Sequence, residues 1–171
     1  LLLKGTDITL NEAGKSPTIM SFKQPQFTTT VTAKVDLSAT SARRSGLAAY
    51  YNNDYHYEIY VGNDDNGKYI GFYKHIHDMG VELARVPLDN SDNTYVTDDK
   101  IAVFRIDTDR EKYTFSYAIA DTKDIECINN CINTASPSIA FTEIGSGLNA
   151  GLSTEGTRTM TFTGTLFSLF S

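Results

Sequence analysis

The chain has 171 residues, 40% of them hydrophobic and 21% charged, which suits one domain with a sizeable core and argues against disorder. Fifteen Lys and Arg against 21 Asp and Glu leave a net charge of −6, a balance that repels phosphate backbones and anionic lipid, so no nucleic-acid or membrane partner is expected. No apolar run approaches the roughly 18 residues of a membrane-spanning helix, and Leu1-Leu2-Leu3 is broken at once by Lys4-Gly5, so neither a span nor a signal peptide is read. The first residue is Leu rather than Met, which points to a processed protein or to part of a longer one.

Residues 27–37 place Phe27, Thr29, Val31, Ala33, Val35 and Leu37 on one side and Thr, Lys or Asp on the other. That period of two, with its β-branched content, predicts a strand. Residues 55–61 alternate likewise, with Tyr55, Tyr57, Ile59 and Val61 facing one way and His56, Glu58 and Tyr60 the other. The Asn- and Asp-rich residues 62–67 read as a hairpin loop, and 68–75 as the returning strand. Further strands are predicted at 81–86, ended by Pro87, and at 101–107, 112–120, 138–144 and 160–170, with an irregular insertion at 121–137. No helical periodicity persists for three turns, and no repeat or linker is evident. The expected fold is all-β, a two-sheet antiparallel sandwich or jelly roll, with residues 1–171 forming a single lectin-like domain.

Chemistry is sparse. Glycoside cleavage needs two carboxyl groups flanking the bond, and the Glu-x-Asp-x-x-Glu strand pattern of sandwich glucanases is missing, so no catalytic residue is assigned. Asp64-Asp65, Asp89, Asp92, Asp98-Asp99, Asp107 and Asp109 could offer oxygens to calcium, but none fits a calcium-loop motif, and turn residues account for them. His75 and His77 would share one side of a strand, without the third and fourth ligands of a metal site. No nucleophile triad or phosphate loop appears, so no cofactor is expected. Cys127 and Cys131 form either a short disulfide or two free thiols, and only the disulfide would argue for an extracellular location. The remaining signal is ten Tyr and no Trp. A tyrosine ring can stack on a sugar while its hydroxyl bonds a sugar hydroxyl, which makes Tyr50, Tyr51, Tyr55, His56, Tyr57 and Tyr60 glycan-binding candidates. Because strand residues alternate faces, about half of such rings should instead pack in the core.

Three runs resemble a known family. Ser45-Gly46-Leu47-Ala48-Ala49-Tyr50-Tyr51-Asn52 is similar to the Ala-Gly-Leu-x-x-Tyr-Tyr-Asn segment in the C-terminal domain of family 43 β-xylosidases. Tyr113-Thr114-Phe115-Ser116-Tyr117 resembles that family's Tyr-x-(Phe or Tyr)-x-Tyr strand, and Phe162-Thr163-Gly164-Thr165 its Phe-Thr-Gly motif. The resemblance implies a concanavalin A-like sandwich packed on a five-bladed propeller that carries all the catalytic acids. It also implies that Phe162 reaches the neighbouring pocket as a substrate-subsite residue. The family's Arg-Arg-x-Gln-His-Phe segment is replaced by Phe22-Lys23-Gln24-Pro25-Gln26-Phe27, which removes a pair of arginines. The leading expectation is a non-catalytic accessory or carbohydrate-binding module of a xylan- or arabinan-type glycosidase. The alternatives are a free-standing lectin-like protein and a structural interaction domain without a glycan ligand.

Overall fold

The computed structural model describes residues 3–38, 44–88, 99–122, 139–161 and 163–171. Residues 123–137 of the expected insertion at 121–137, with Cys127 and Cys131, and the pocket candidate Phe162 lie outside these described residues.

Among the described residues ten strands form two antiparallel sheets. In chain order they are β1 (Ile19–Lys23), β2 (Thr29–Asp36), β3 (Arg44–Asn52), β4 (Tyr55–Asp64), β5 (Gly67–Ile76), β6 (Met79–Pro87), β7 (Lys100–Thr108), β8 (Lys112–Asp121), β9 (Thr142–Leu148) and β10 (Leu166–Phe170). A six-stranded sheet in the order β1-β10-β3-β4-β5-β6 packs against a four-stranded sheet in the order β2-β7-β8-β9. The core between them joins Leu47, Ile59, Ile70, Phe72 and Phe167 of the larger sheet to Ala33, Phe104, Ile106 and Phe115 of the smaller one. The expected all-β sandwich is the fold observed.

The alternation in residues 55–61 has the predicted phase: Tyr55, Tyr57, Ile59 and Val61 all face the inter-sheet core. In β2, Ala33 is buried and Val31 and Val35 pack against the same core, as does the buried Leu37 just after the strand, whereas Phe27 precedes the strand and is exposed. The hairpin loop is shorter than expected. β4 runs to Asp64, and the Asp65-Asn66 turn is closed by the Asn66 N–H donating to Asp64 Oδ1 at 2.8 Å.

Two expected strands change their bounds, and β1 and β3 form where no strand was expected. β3 was not legible as a strand, because Gly46, Ala48 and Ala49 lack β-branched bulk; small residues are needed there, and a Cβ on Gly46 would come within 2.1 Å of the Ile59 carbonyl oxygen. The strand expected at 138–144 runs instead from Thr142 to Leu148, through Gly145 and Gly147. Added Cβ atoms there would come within 2.2 Å of the Phe72 ring and 2.4 Å of the Tyr57 ring, so these glycines seat core rings and do not end the strand. Among the described residues of the expected 160–170 only Leu166–Phe170 are strand, and a one-turn helix, α1 (Thr154–Thr157), comes before them.

Residues 3–18 form a strap on the outer face of the six-stranded sheet, away from the four-stranded one. Leu10 is buried there among Ala48, Tyr60, Tyr69 and Phe170. Its turn is closed by the Thr9 N–H donating to Glu12 Oε1 at 2.9 Å, while Lys15 Nζ meets Glu12 Oε2 at 2.5 Å. The Lys15 ammonium and the Thr9 amide hold the Glu12 carboxyl down at about 2.

Candidate functional site

At one end of the sandwich, tyrosines that belong to the core by their rings use their phenols on the chain between β9 and β10. Tyr57 donates to the Leu148 carbonyl at 3.1 Å, and Tyr55 to the Thr157 carbonyl at 3.5 Å. Tyr51 donates to the Thr159 carbonyl at 2.5 Å, meets Thr154 Oγ1 at 2.9 Å, and accepts the Thr161 N–H at 3.2 Å. Burial pushes the Tyr51 phenol up, but the hydrogen bonds from Thr154 and Thr161 outweigh it and the net shift is downward. Tyr57 is pushed up to about 12, mainly by burial.

The segment these phenols hold is built locally. Ser153 caps α1 by accepting the Gly156 N–H at 3.1 Å, and Arg158 ends it in the left-handed region at φ 56°. Leu152 anchors it in the core. Beyond residue 162, Gly164 turns the chain at φ +68°, and Thr165 is tied twice: its hydroxyl donates to the Leu152 carbonyl at 3.0 Å and its carbonyl accepts the Gln24 N–H at 3.2 Å. Gln24 is itself fixed by Tyr113, whose hydroxyl donates to Gln24 Oε1 at 2.7 Å. The residues on both sides of Phe162 are therefore held to the core. Met160, at 72% exposure, and the exposed Phe27, three residues from Gln24, present apolar side chains to solvent at this end.

The outer face of the six-stranded sheet carries a second cluster. Strand register aligns Leu166, Tyr50, His56, His75 and Gly80 in one row and Ser168, Ala48, Glu58, Tyr73 and Glu82 in the next. Arg44 stacks its guanidinium on Tyr60 and Tyr73, 4.6 and 4.3 Å from the ring centres, and pairs with Glu58 Oε2 at 3.2 Å. Burial lowers the Arg44 pKa, but the Glu58 carboxylate together with the Tyr60 and Tyr73 phenols outweighs it and the net shift is upward. His56 Nε2 lies 2.9 Å from Glu58 Oε1 without the alignment of a direct hydrogen bond. His56 Nδ1 faces the Asn52 carbonyl and His75 Nδ1 the Asp54 carbonyl, both at 3.2 Å, so each Nδ1 carries a proton. The two imidazoles stack at 5.2 Å. Beside Glu58 a cavity of about 10 Å³, lined by Thr6, Asp7, Thr9, Leu10, Arg44 and Phe170, has room for a single water, far below the roughly 300 Å³ of a small-molecule pocket.

Of the six glycan-binding candidates, Tyr51, Tyr55 and Tyr57 lie in the inter-sheet core, and His56 and Tyr60 are buried on the outer face. Tyr50 is half-buried, beside His56. His75 and His77 do not share a side: β5 ends at Ile76, and the turn at His77, with φ 59°, sends that ring to Tyr55 while His75 stacks on His56. Among the described residues no three His, Cys, Asp or Glu side chains converge as a metal site would require. Sequence reasoning passed over Arg44, Thr154, Thr159 and Thr161. Glu58 was legible as an acid in a run of aromatic and aliphatic residues, which already calls for a buried partner.

Several solved structures share this fold. A xylan β-1,4-xylosidase from Bacillus halodurans C-125 matches with a TM-score of 0.72 at 16% identity, over 97% of this chain and 28% of that one. A GH43_12 protein retrieved from capybara gut metagenome matches with a TM-score of 0.71 at 19% identity, over 99% of this chain and 30% of that one. The GH43 protein BlXynB from Bacillus licheniformis matches with a TM-score of 0.68 at 16% identity, over 99% of this chain and 28% of that one. The chain thus spans less than a third of the length of these proteins. No curated protein sequence matches it. The family model for the β-xylosidase C-terminal concanavalin A-like domain matches residues 1–171, and the chain belongs to that family.

Proposed function

We propose that this domain is a non-catalytic accessory module of a glycosidase acting on xylan-like or arabinan-like chains, and that Phe162 enters the pocket of a neighbouring catalytic propeller to shape a substrate subsite. The observation that carries this reading is the anchoring of Thr161 and Thr165, on either side of Phe162, to the core through Tyr51, Leu152 and Gln24. A side chain that must meet substrate in another domain needs a well-fixed backbone, and the held neighbours Thr161 and Thr165 support that reading. The exposed Met160 and Phe27 suit an end of the sandwich that docks against a partner surface. A catalytic role for this domain has little support: Glu58, at 1% exposure, is enclosed beneath the strap and paired with Arg44, out of reach of a glycosidic bond.

The test is Phe162→Ala in the polypeptide that joins this domain to its catalytic partner. The substitution should lower kcat/KM for xylo-oligosaccharides by roughly ten-fold or more, through a raised KM. An unchanged kcat/KM rejects the reading. A lectin-like role is the second reading, and the half-buried Tyr50 beside His56 is the observation in its favour. The burial of the other five candidates weighs against it.

A further inference from the structure

We infer that strand β6 is the interface through which two copies of this chain associate, edge to edge about a twofold axis near Leu83. The inference is independent of the accessory reading, which makes no use of β6.

Among the described residues β6 closes one side of the six-stranded sheet, and no strand pairs with its outer edge. At nine residues it is longer than β1, β2 and β9, the other strands that end a sheet. An unpaired edge presents a row of backbone donors and acceptors that a further strand can complete. Native edges are commonly blunted by lysine, by proline or by brevity, whereas β6 has no lysine and holds its one proline, Pro87, at its last position. Its side chains are apolar where solvent meets them. Met79 is 65% exposed, Leu83 55% and Val81 40%, and the exposed Ile76 lies opposite Met79 on β5. Phe72 pairs with Ala84 and Tyr73 with Glu82, so Leu83 has no partner on β5 and marks a bulge. A bulge can itself discourage pairing, but this one sets a leucine, not a charge, at the middle of the strand.

Charge selects a second copy as the occupant. The chain carries −6, so two copies repel across most of their surfaces, whereas β6 itself holds one Glu and one Arg and is neutral. Glu82 and Arg85 meet at 2.7 Å, and Arg85 also reaches Asp64. A twofold axis near Leu83 reverses the strand, so Glu82 of each copy comes near Arg85 of the other while Leu83 meets its own counterpart. The patch is therefore self-complementary, apolar at its centre and ion-paired at its rim, as an isologous dimer requires.

The test is sedimentation velocity over a range of concentration on the full-length polypeptide that carries this domain, comparing the parent with Leu83→Lys, Val81→Lys and Met20→Lys. The parent should show a concentration-dependent dimer. Leu83→Lys and Val81→Lys should each raise its dissociation constant roughly ten-fold or more, because each copy then brings a like charge to the axis. Met20→Lys, on β1 at the opposite edge of the same sheet, should change it by less than about two-fold. Far-UV circular dichroism and Tm report whether each variant is folded; if a lysine variant unfolds, Leu83→Ser, small and uncharged, should still weaken the dimer about three-fold or more. A parent polypeptide that stays monomeric at every concentration overturns the inference, and so does a dimer that the Leu83 and Val81 variants leave intact. Equal weakening by Met20→Lys overturns it too, because the contact would then not belong to β6.

Discussion

The two faces of the six-stranded sheet are both buried along β4, for opposite reasons. On the inner face Tyr57, Ile59 and Val61 meet apolar side chains of the other sheet, and their burial is ordinary core formation. On the outer face His56, Glu58 and Tyr60 are covered by their own neighbours: Arg44 stacked across two tyrosines, the paired imidazoles, and the strap with Leu10. A Tyr60 ring can lie flat there only because its cross-strand neighbour is Gly71, where a Cβ would stand 2.4 Å from the ring. The inner face depends on volume, and the outer face on every member of a polar set being present.

Each side of that contrast can be broken separately. The largest effect is expected inside: Phe72→Ala should cost about 3–5 kcal/mol by denaturant unfolding, since the ring is fully buried against Phe115. Outside, Glu58→Ala should cost roughly 2–4 kcal/mol, moderated because Arg44 keeps 23% of its side-chain exposure. Replacing the pair together, Arg44→Met with Glu58→Leu, should recover most of that loss; a double variant as unstable as the single one would show that the loss does not come from leaving the Arg44 charge unpaired. Gly71→Ala should cost about 1–3 kcal/mol by lifting Tyr60 and loosening the Arg44 stack, measured by the same unfolding transition.

The smallest effect concerns alkaline pH. Burial raises the Tyr57 phenol from 10.0 to about 12, so the folded state holds its proton more tightly than the unfolded chain does. That contribution is complete below pH 10 and is lost as pH climbs towards 12, so unfolding free energy should fall across this window. Burial also raises Tyr113 in the core and Tyr60 and Tyr73 on the outer face, and Tyr57→Phe should therefore remove only its own part of the slope.

The strands with strong alternation, β2 and β4, were legible because side-chain character changes with period two, and in β4 even the inward set was correct. β3 went unread and β9 was placed a few residues early, because their glycines answer to other strands. Gly46 sits against the β4 backbone at Ile59 and Tyr60, and Gly145 and Gly147 seat the Phe72 and Tyr57 rings, which a local reading cannot see. The same limit applied to the tyrosines. Clustering marked Tyr51 and Tyr57 as ligand contacts, whereas their phenols hold the segment between β9 and β10. What the residues did convey was the pair of motifs, Tyr50-Tyr51-Asn52 and Phe162-Thr163-Gly164, without the hydrogen bond that joins them.

The most direct test of the account sets Phe162 against Tyr50 in the polypeptide that carries the catalytic domain, measuring kcat/KM on xylo-oligosaccharides and retention of xylan for each alanine variant. An accessory module predicts that Phe162→Ala lowers kcat/KM while Tyr50→Ala leaves both measurements near the parent values. Loss of xylan retention with Tyr50→Ala, together with unaltered kinetics for Phe162→Ala, would contradict it and identify the outer face as a glycan-binding surface.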